Sequence, residues 1–375
     1  MNAEEKHVTK SGVVVLATSL PAADHERSVQ CRLAKEIATL LHCPFLGDSG
    51  AAAGSSDLYY IPAETLVIYD DIPPDLCEED FFGGLVCQPY VATKAISHPL
   101  YAEHCCAPSG WMPEFLHKAG NVVLDGYTAF SLEDAGRAGS ELLRKGPVRL
   151  KPVQGKAGKG QQVVATRTEL ETALAQLPED DIARWGLVLE EHLREVITWS
   201  VGQIRVAGGT VSYVGSQNLT RDNGGQHVYG GSELLMVRGG YENLLGLKLS
   251  PALLTAVFQA RNYEQAAFEV FEGLVLSRRN YDIAQGLNGD GNPVSGVLEQ
   301  SWRIGGATSA EIFGLKALGR DPDRQYIRAA SLERYGESYS PPEGATVLFS
   351  GEDKDVGFIT KCVRVAVDER QNRTR

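Results

Sequence analysis

The stretch Asn280-Tyr-Asp-Ile-Ala-Gln-Gly-Leu-Asn-Gly-Asp-Gly-Asn-Pro-Val-Ser-Gly-Val-Leu-Glu299-Gln-Ser-Trp-Arg303 decides how the rest of the chain is read. Asp290-Gly291 sits in a Gly/Asn cluster between two runs able to form strands, which predicts a β-hairpin with a two-residue type I′ turn. Counting outward from Gly289 opposite Asn292 places Asp282 directly across from Glu299, and Asn280 across from Ser301. Opposed like charges destabilise a strand pair. A shared cation relieves them, and hard carboxylate oxygens suit Mg2+. Side chains alternate with a period of two, so Glu299, Ser301 and Arg303 share a face with Asn280 and Asp282. Two acids, an amide, a hydroxyl and a guanidinium make a poor core. They read either as a site for Mg2+ and phosphate or as a solvent-facing hairpin. Gly286 and Gly296 are positions at which a bulge would shift the count.

The 375 residues suffice for two or three domains. A net charge of −12 argues against a nucleic-acid partner held by general electrostatics. The seven cysteines show no paired spacing, which fits reduced thiols and a cytoplasmic protein. The apolar run 13–17 is too short for a signal peptide or a span, so no membrane association is expected.

Residues 12–17 read as a buried strand, 23–41 as a helix, and 65–69 and 84–87 as further strands. This predicts an α/β domain over 1–120 with a parallel sheet. The Gly/Ser-rich segment 48–57 reads as a loop. Lys94 and His98 stand in a short helical turn, as site residues or as surface and cap residues. Beyond 121 the reading is a strand at 121–124, a turn at 126–128, and a helix opened by Ser131 with an acid three residues later.

A strand carrying Lys151 then feeds Gly155-Lys-Ala-Gly158-Lys159-Gly160 and a return strand at 161–165. The loop is no Walker A motif, because Gln161-Gln162 follows where Lys-Ser/Thr is needed. It is no dinucleotide fingerprint either, because it lies between strands. It reads as a hairpin flap whose lysines and backbone N–H groups are free to approach phosphate oxygens. A strand over 185–193 stops on Glu190-Glu191-His192-Leu193. Strands at 197–206 and 210–214, a Gly-rich loop at 223–231, a helix at 251–272 and the opening hairpin follow. A helix at 307–318, late strands at 345–350 and 357–367, and a charged, disordered tail at 368–375 complete the chain. The resulting division is 1–120, 121–200, 201–330 and 331–375.

Lys151 ahead of a glycine flap, a strand ending Glu190-Glu191-His192-Leu193, and a facing Asp282/Glu299 pair ending x-Ser-x-Arg stand in one order. That order resembles the ATP-grasp superfamily, near its biotin-carboxylase-like members, over about residues 94–311. The resemblance implies an α/β plus α+β chain: an N-terminal α/β domain, then two lobes that hold ATP between them. It implies ATP and Mg2+ as cofactors. Lys151 would contact the phosphates, Gly155, Gly158, Lys159 and Gly160 would form the flap, and Lys94 would be a further phosphate lysine. Glu190, Glu191 and Leu193 would read the adenine edge, largely through backbone groups at Glu191 and Leu193, and Glu195 is the nearest ribose acid. Asp282 and Glu299 would hold the metal, and Arg303 would face the transferred phosphate.

Two departures stand out. The family pattern Glu-x-Asn-x-Arg is Glu299-Gln-Ser301-Trp-Arg303 here, so a hydroxyl replaces the third ligand, and Asn280, opposite Ser301, is expected to supply the missing amide. The run after Arg303 is Ile-Gly-Gly-Ala rather than Gln-Val-Glu-His, which argues against bicarbonate and biotin. The implied activity is an ADP-forming ligase that activates a small-molecule carboxylate as an acyl phosphate for attack by an amine. A nucleotide-binding protein without turnover and an ATP-dependent carboxylase or kinase are the alternatives. A homo-oligomer is left open.

Overall fold

The structure, a computed structural model, describes residues 10–16, 23–48, 55, 57–68, 75–155 and 160–366. The hairpin forms, but its turn is one residue longer than counted. Leu287 pairs with Pro293, the Gly291 N–H donates to the Asn288 carbonyl at 3.0 Å, and Asn288 Oδ1 accepts from the Asn292 N–H at 2.9 Å. Gly291, at φ 81°, takes the left-handed position that closes such a three-residue loop. A bulge then removes the extra residue: Ile283 faces Val297 while Asp282 faces Glu299, leaving Leu298 unpaired. The two irregularities offset each other. Asp282 lies opposite Glu299 and Asn280 opposite Ser301, as the sequence count has it.

This hairpin is one edge of an eight-stranded sheet in which every neighbouring pair is antiparallel. Its spatial order is Pro293–Ser301, Arg278–Leu287, Arg194–Val206, Gly209–Arg221, His227–Arg238, Tyr326–Tyr335, Gly357–Ala366 and Thr346–Asp353. The strand His227–Arg238 begins inside the segment expected to be a Gly-rich loop. A side chain at Gly231 would strike the Ser331 carbonyl of the next strand, so the glycine marks a close backbone approach. The strand Tyr326–Tyr335 was not anticipated, and the strands after residue 325 complete this sheet.

Helix Pro251–Val270 covers one face, packing Val257 and Tyr263 against Val201, Tyr281 and Trp302. Helices Thr308–Arg320 and Asp24–Leu40 cover the other, with Ile204, Met236 and Ile327 beneath them. The N-terminal unit is α/β, and Gly12–Leu16 pairs in parallel with both Phe45–Asp48 and Leu58–Pro62. It is joined to the large sheet by a shared core.

A smaller antiparallel sheet is ordered Gly126–Ala129, Leu187–Glu191, Val148–Pro152, Gln162–Val164. Helices Leu132–Leu142 and Arg167–Ala175 back it. Ser131 caps the first of them, accepting from the Asp134 N–H at 3.0 Å. Residues 126–128 form a strand rather than a turn, because Gly126 lets the chain pass against the His98 ring and the Leu189 carbonyl. Residues 121–124 form no strand beyond a single bridge from Val123 to Val297. The architecture is thus α/β followed by two α+β lobes. No helix among the described residues is long and apolar enough to cross a membrane. The expected tail at 368–375 and most of the expected loop at 48–57 lie outside the described residues.

Candidate active site

The alternation along Glu299–Arg303 is enforced from behind. Gln300 accepts from the Tyr263 hydroxyl at 2.9 Å and donates to the Val91 carbonyl at 3.1 Å, and Trp302 is 1% exposed against Tyr281. Burying Trp302 contributes about 2–3 kcal/mol. With these two turned inward, Glu299, Ser301 and Arg303 face the cleft. Asp282 is pushed up to about 6, by loss of solvent and then by the charge of Glu299. Glu299 moves the other way: loss of solvent would raise it, but Lys94 above all, then Lys151 and Arg303, hold it below the ordinary carboxylate range. Among the described residues no three His, Cys, Asp or Glu side chains cluster as a metal cage. Two carboxylates fit Mg2+, which keeps waters and takes its other ligands from substrate phosphates.

Lys94 opens a short 3-10 turn, Lys94–Ser97, capped by the Thr93 hydroxyl. Its ammonium lies 2.9 Å from Glu299 Oε2 and donates to the Gly155 carbonyl at 2.9 Å. Of the two readings open in the sequence, the structure has Lys94 in the cleft, between the flap base and the acid pair. Lys151 projects from Val148–Pro152 with its Nζ 2.7 Å from Glu190 Oε1, and His98 Nε2 lies 3.3 Å from Glu190 Oε2. All three side chains are buried. Burial would raise the Glu190 carboxyl, but Lys151 and His98 bring it down to about 2. Its side chain is therefore the counter-ion of Lys151.

At the expected hinge, the Glu191 N–H donates to the Asp125 carbonyl at 2.8 Å. The Asp125 N–H goes to the Glu191 carboxylate at 3.1 Å rather than to its carbonyl. Leu193 is buried with Leu124 and Ala284. Glu195 is exposed at φ 53° on the irregular start of its strand. Among the described residues it makes no hydrogen bond or ion pair with the other expected site residues. Gly155 and Gly160 flank the flap tip, Gly160 at φ 75°. Gly158 and Lys159 lie outside the described residues.

The floor of the site was largely unforeseen. Asn280 Nδ2 donates to Asp282 Oδ1 at 2.8 Å, and Asn280 Oδ1 lies 2.9 Å from the Tyr213 hydroxyl. The amide thus turns its nitrogen, not its oxygen, toward the acid pair. The oxygen expected to ligate a metal faces the Tyr213 hydroxyl, and the nitrogen bonds Asp282. Ser301 Oγ accepts from Arg278 Nη1 at 3.2 Å. Arg278 forms a fork with Glu311 at 2.7 and 3.0 Å, the two being 1% and 0% exposed. Arg303 Nε lies 3.2 Å from Glu64 Oε2, which the N-terminal unit contributes. Arg278 carried a usable signal, since it precedes Asp282 by four residues on the same face. Tyr213, Glu311 and Glu64 come from distant elements and carried none.

A chain with a large and a small antiparallel sheet, facing acids, buried lysines and a glycine flap is the class that fold and site define. Residues 13–363 match the family described as "Protein of unknown function (DUF3182)", and the chain belongs to it. No curated protein matches the chain. Solved structures similar to it include D-alanyl-alanine synthetase A from Vibrio cholerae, at 11% identity and TM-score 0.43, covering 84% of this chain and 94% of that one. Phosphoribosylamine–glycine ligase from Thermotoga maritima is similar at 15% identity and TM-score 0.45, covering 94% and 92%. A RimK domain ATP-grasp protein from Sphaerobacter thermophilus is similar at 16% identity and TM-score 0.38, covering 81% and 97%.

Proposed function

We propose that this cleft binds ATP with Mg2+ and that the protein is an ADP-forming ligase, activating a small-molecule carboxylate for attack by an amine. The observation that carries the reading is the in-register Asp282/Glu299 pair facing Lys94 beside the flap base, within electrostatic reach of Lys151 and Arg303. Asp282 and Glu299 would hold the metal, which when bound neutralises phosphate charge and aligns the transferring group. Lys94, Lys151 and Arg303 place fixed positive charge around the same point, where charge spreads over the phosphoryl oxygens. In the first step a substrate carboxylate oxygen bonds to the γ-phosphorus while the bond to the β,γ-bridging oxygen breaks, giving an acyl phosphate and ADP. In the second an amine bonds to the acyl carbon, phosphate leaves, and the amine gives up a proton. The flap would keep water from the acyl phosphate.

The test is ADP release measured against a panel of carboxylates with and without amines. Release that rises with one carboxylate, and phosphate release that rises further with one amine, is the expected result. Lys151 tied to Glu190 and Ser301 tied to Arg278 favour a second reading, nucleotide binding without turnover. ATP binding with no ADP release across the panel would select it.

A further inference from the structure

We infer that Arg278 acts as a built-in cation at the floor of this cleft, so that the divalent ion is held by Asp282 and Glu299 without the Ser301 hydroxyl. The inference rests on the proposed metal–nucleotide site and assigns the Arg278–Glu311 pair as its positioning residues. Arg278 Nη1 donates to the Ser301 carbonyl at 2.8 Å, the Arg303 carbonyl at 2.5 Å and Ser301 Oγ at 3.2 Å. Its other edge is spent on Glu311, which takes both Nε and Nη2. One guanidinium therefore fixes the strand end that carries both Ser301 and Arg303.

The charge is permanent, because an arginine does not deprotonate in a protein. It is also dry, at 1% exposure. An Mg2+ ion on Ser301 Oγ would sit about 2.1 Å from that oxygen, with the guanidinium touching the same atom and no water between them. A neutral hydroxyl has no charge with which to screen two cations from each other, whereas each carboxylate does. Accepting from Arg278 spends a lone pair of Ser301 and leaves its O–H to donate. That suits a carboxylate oxygen of the second substrate, which a titration with metal and nucleotide alone does not contain, rather than a cation.

Glu311 completes the device. Its Oε1 lies 2.6 Å from the Tyr213 hydroxyl, which also touches Asn280, and Asn280 in turn donates to Asp282. The same buried pair thus sets both ends of the acid site: Arg303 through its backbone, and Asp282 through Tyr213 and Asn280. A buried ion pair is a poor source of stability but a good source of fixed geometry.

The experiment is Mn2+ binding to the full chain with a non-hydrolysable ATP analogue, followed by electron paramagnetic resonance. S301A should bind Mn2+ within about twofold of wild type, while D282N and E299Q should each lose about tenfold or more. In the paired variant R278M/E311M, which removes both buried charges together, adding S301A should cost about fivefold, because the hydroxyl is then free to ligate. A tenfold loss in S301A alone overturns the inference while leaving the proposed site intact. If wild type and D282N bind Mn2+ with the analogue equally weakly, the proposed site itself fails, and the inference with it.

Discussion

Lys94 and Glu299 meet across the cleft with 2.9 Å between ammonium and carboxylate, and the same ammonium holds the Gly155 carbonyl at the flap base. One side chain therefore neutralises a candidate metal acid and anchors the segment that follows the Lys151 strand. In K94M the main group holding the Glu299 carboxyl down is gone, so Mn2+ without nucleotide no longer competes with an internal cation. Its affinity should rise by about fivefold. Limited proteolysis near Gly155 should also quicken. Unchanged Mn2+ binding would show that Lys94 does not compete for Glu299.

Metal binding should be coupled to a proton at Asp282. With its carboxyl pushed up to about 6, Asp282 is largely protonated at pH 5 and largely ionised at pH 8. An incoming divalent ion must displace that proton, so binding should release close to one proton per ion at pH 5 and almost none at pH 8. Calorimetry in buffers of different ionisation enthalpy reads this directly. Equal release at both pH values, or the same pH dependence in D282N, contradicts it.

Glu190 contributes to the acid limb of stability. Its carboxyl is brought down to about 2 from an ordinary 4.5 by Lys151 and His98 against the opposing effect of burial. A depressed carboxyl stabilises the folded state above pH 4.5, and that contribution fades as the pH falls toward 2. E190Q should lower stability at pH 7 by about 3–5 kcal/mol, because it leaves Lys151 buried without a partner. Its stability should also fall less steeply between pH 4.5 and 2 than wild type does. If triphosphate binds Lys151, ATP should raise the melting temperature of E190Q more than that of wild type.

Gly202 is the narrow point of the floor. It pairs with Asn280 on one side and Tyr213 on the other, and a methyl group there would strike the Arg279 carbonyl oxygen and the Tyr213 hydroxyl. G202A should therefore destabilise by about 1–3 kcal/mol and, by shifting Tyr213, weaken Mn2+–nucleotide binding as well. Chemical denaturation and the resonance titration together check it. A stable G202A with wild-type Mn2+ affinity would mean that Tyr213 does not set the acid pair.

The acid hairpin was legible because its information is local. A turn signal, a period of two and two carboxylates were enough to place Asp282 against Glu299, although a longer turn and a bulge at Leu298 each broke the count and cancelled. The parallel N-terminal strands and the flap, whose strands pair in antiparallel, were legible for the same reason. The strand His227–Arg238 was hidden because Gly230 and Gly231, read as loop residues, instead admit a neighbouring backbone. The setting of Asn280 depends on Tyr213, a residue 67 positions earlier, and no spacing rule reaches that far. Glu190 was assigned to nucleotide because its place at a strand end was visible, whereas its two buried partners, from separate segments, were not.

The chain enters the small sheet after Gly120 and leaves it for the large sheet between Glu191 and Arg194, and the two passages lie side by side. The Val297 N–H donates to the Val122 carbonyl at 2.7 Å, the Glu191 N–H to Asp125, and Leu124 and Leu193 share one apolar cluster with Ala284. Two adjoining seams of this kind act as a single door-post. Sliding or twisting of the small sheet against the large one would break both seams at once. Lys151, carried by the small sheet, and Glu299, carried by the large one, are thereby held in one alignment.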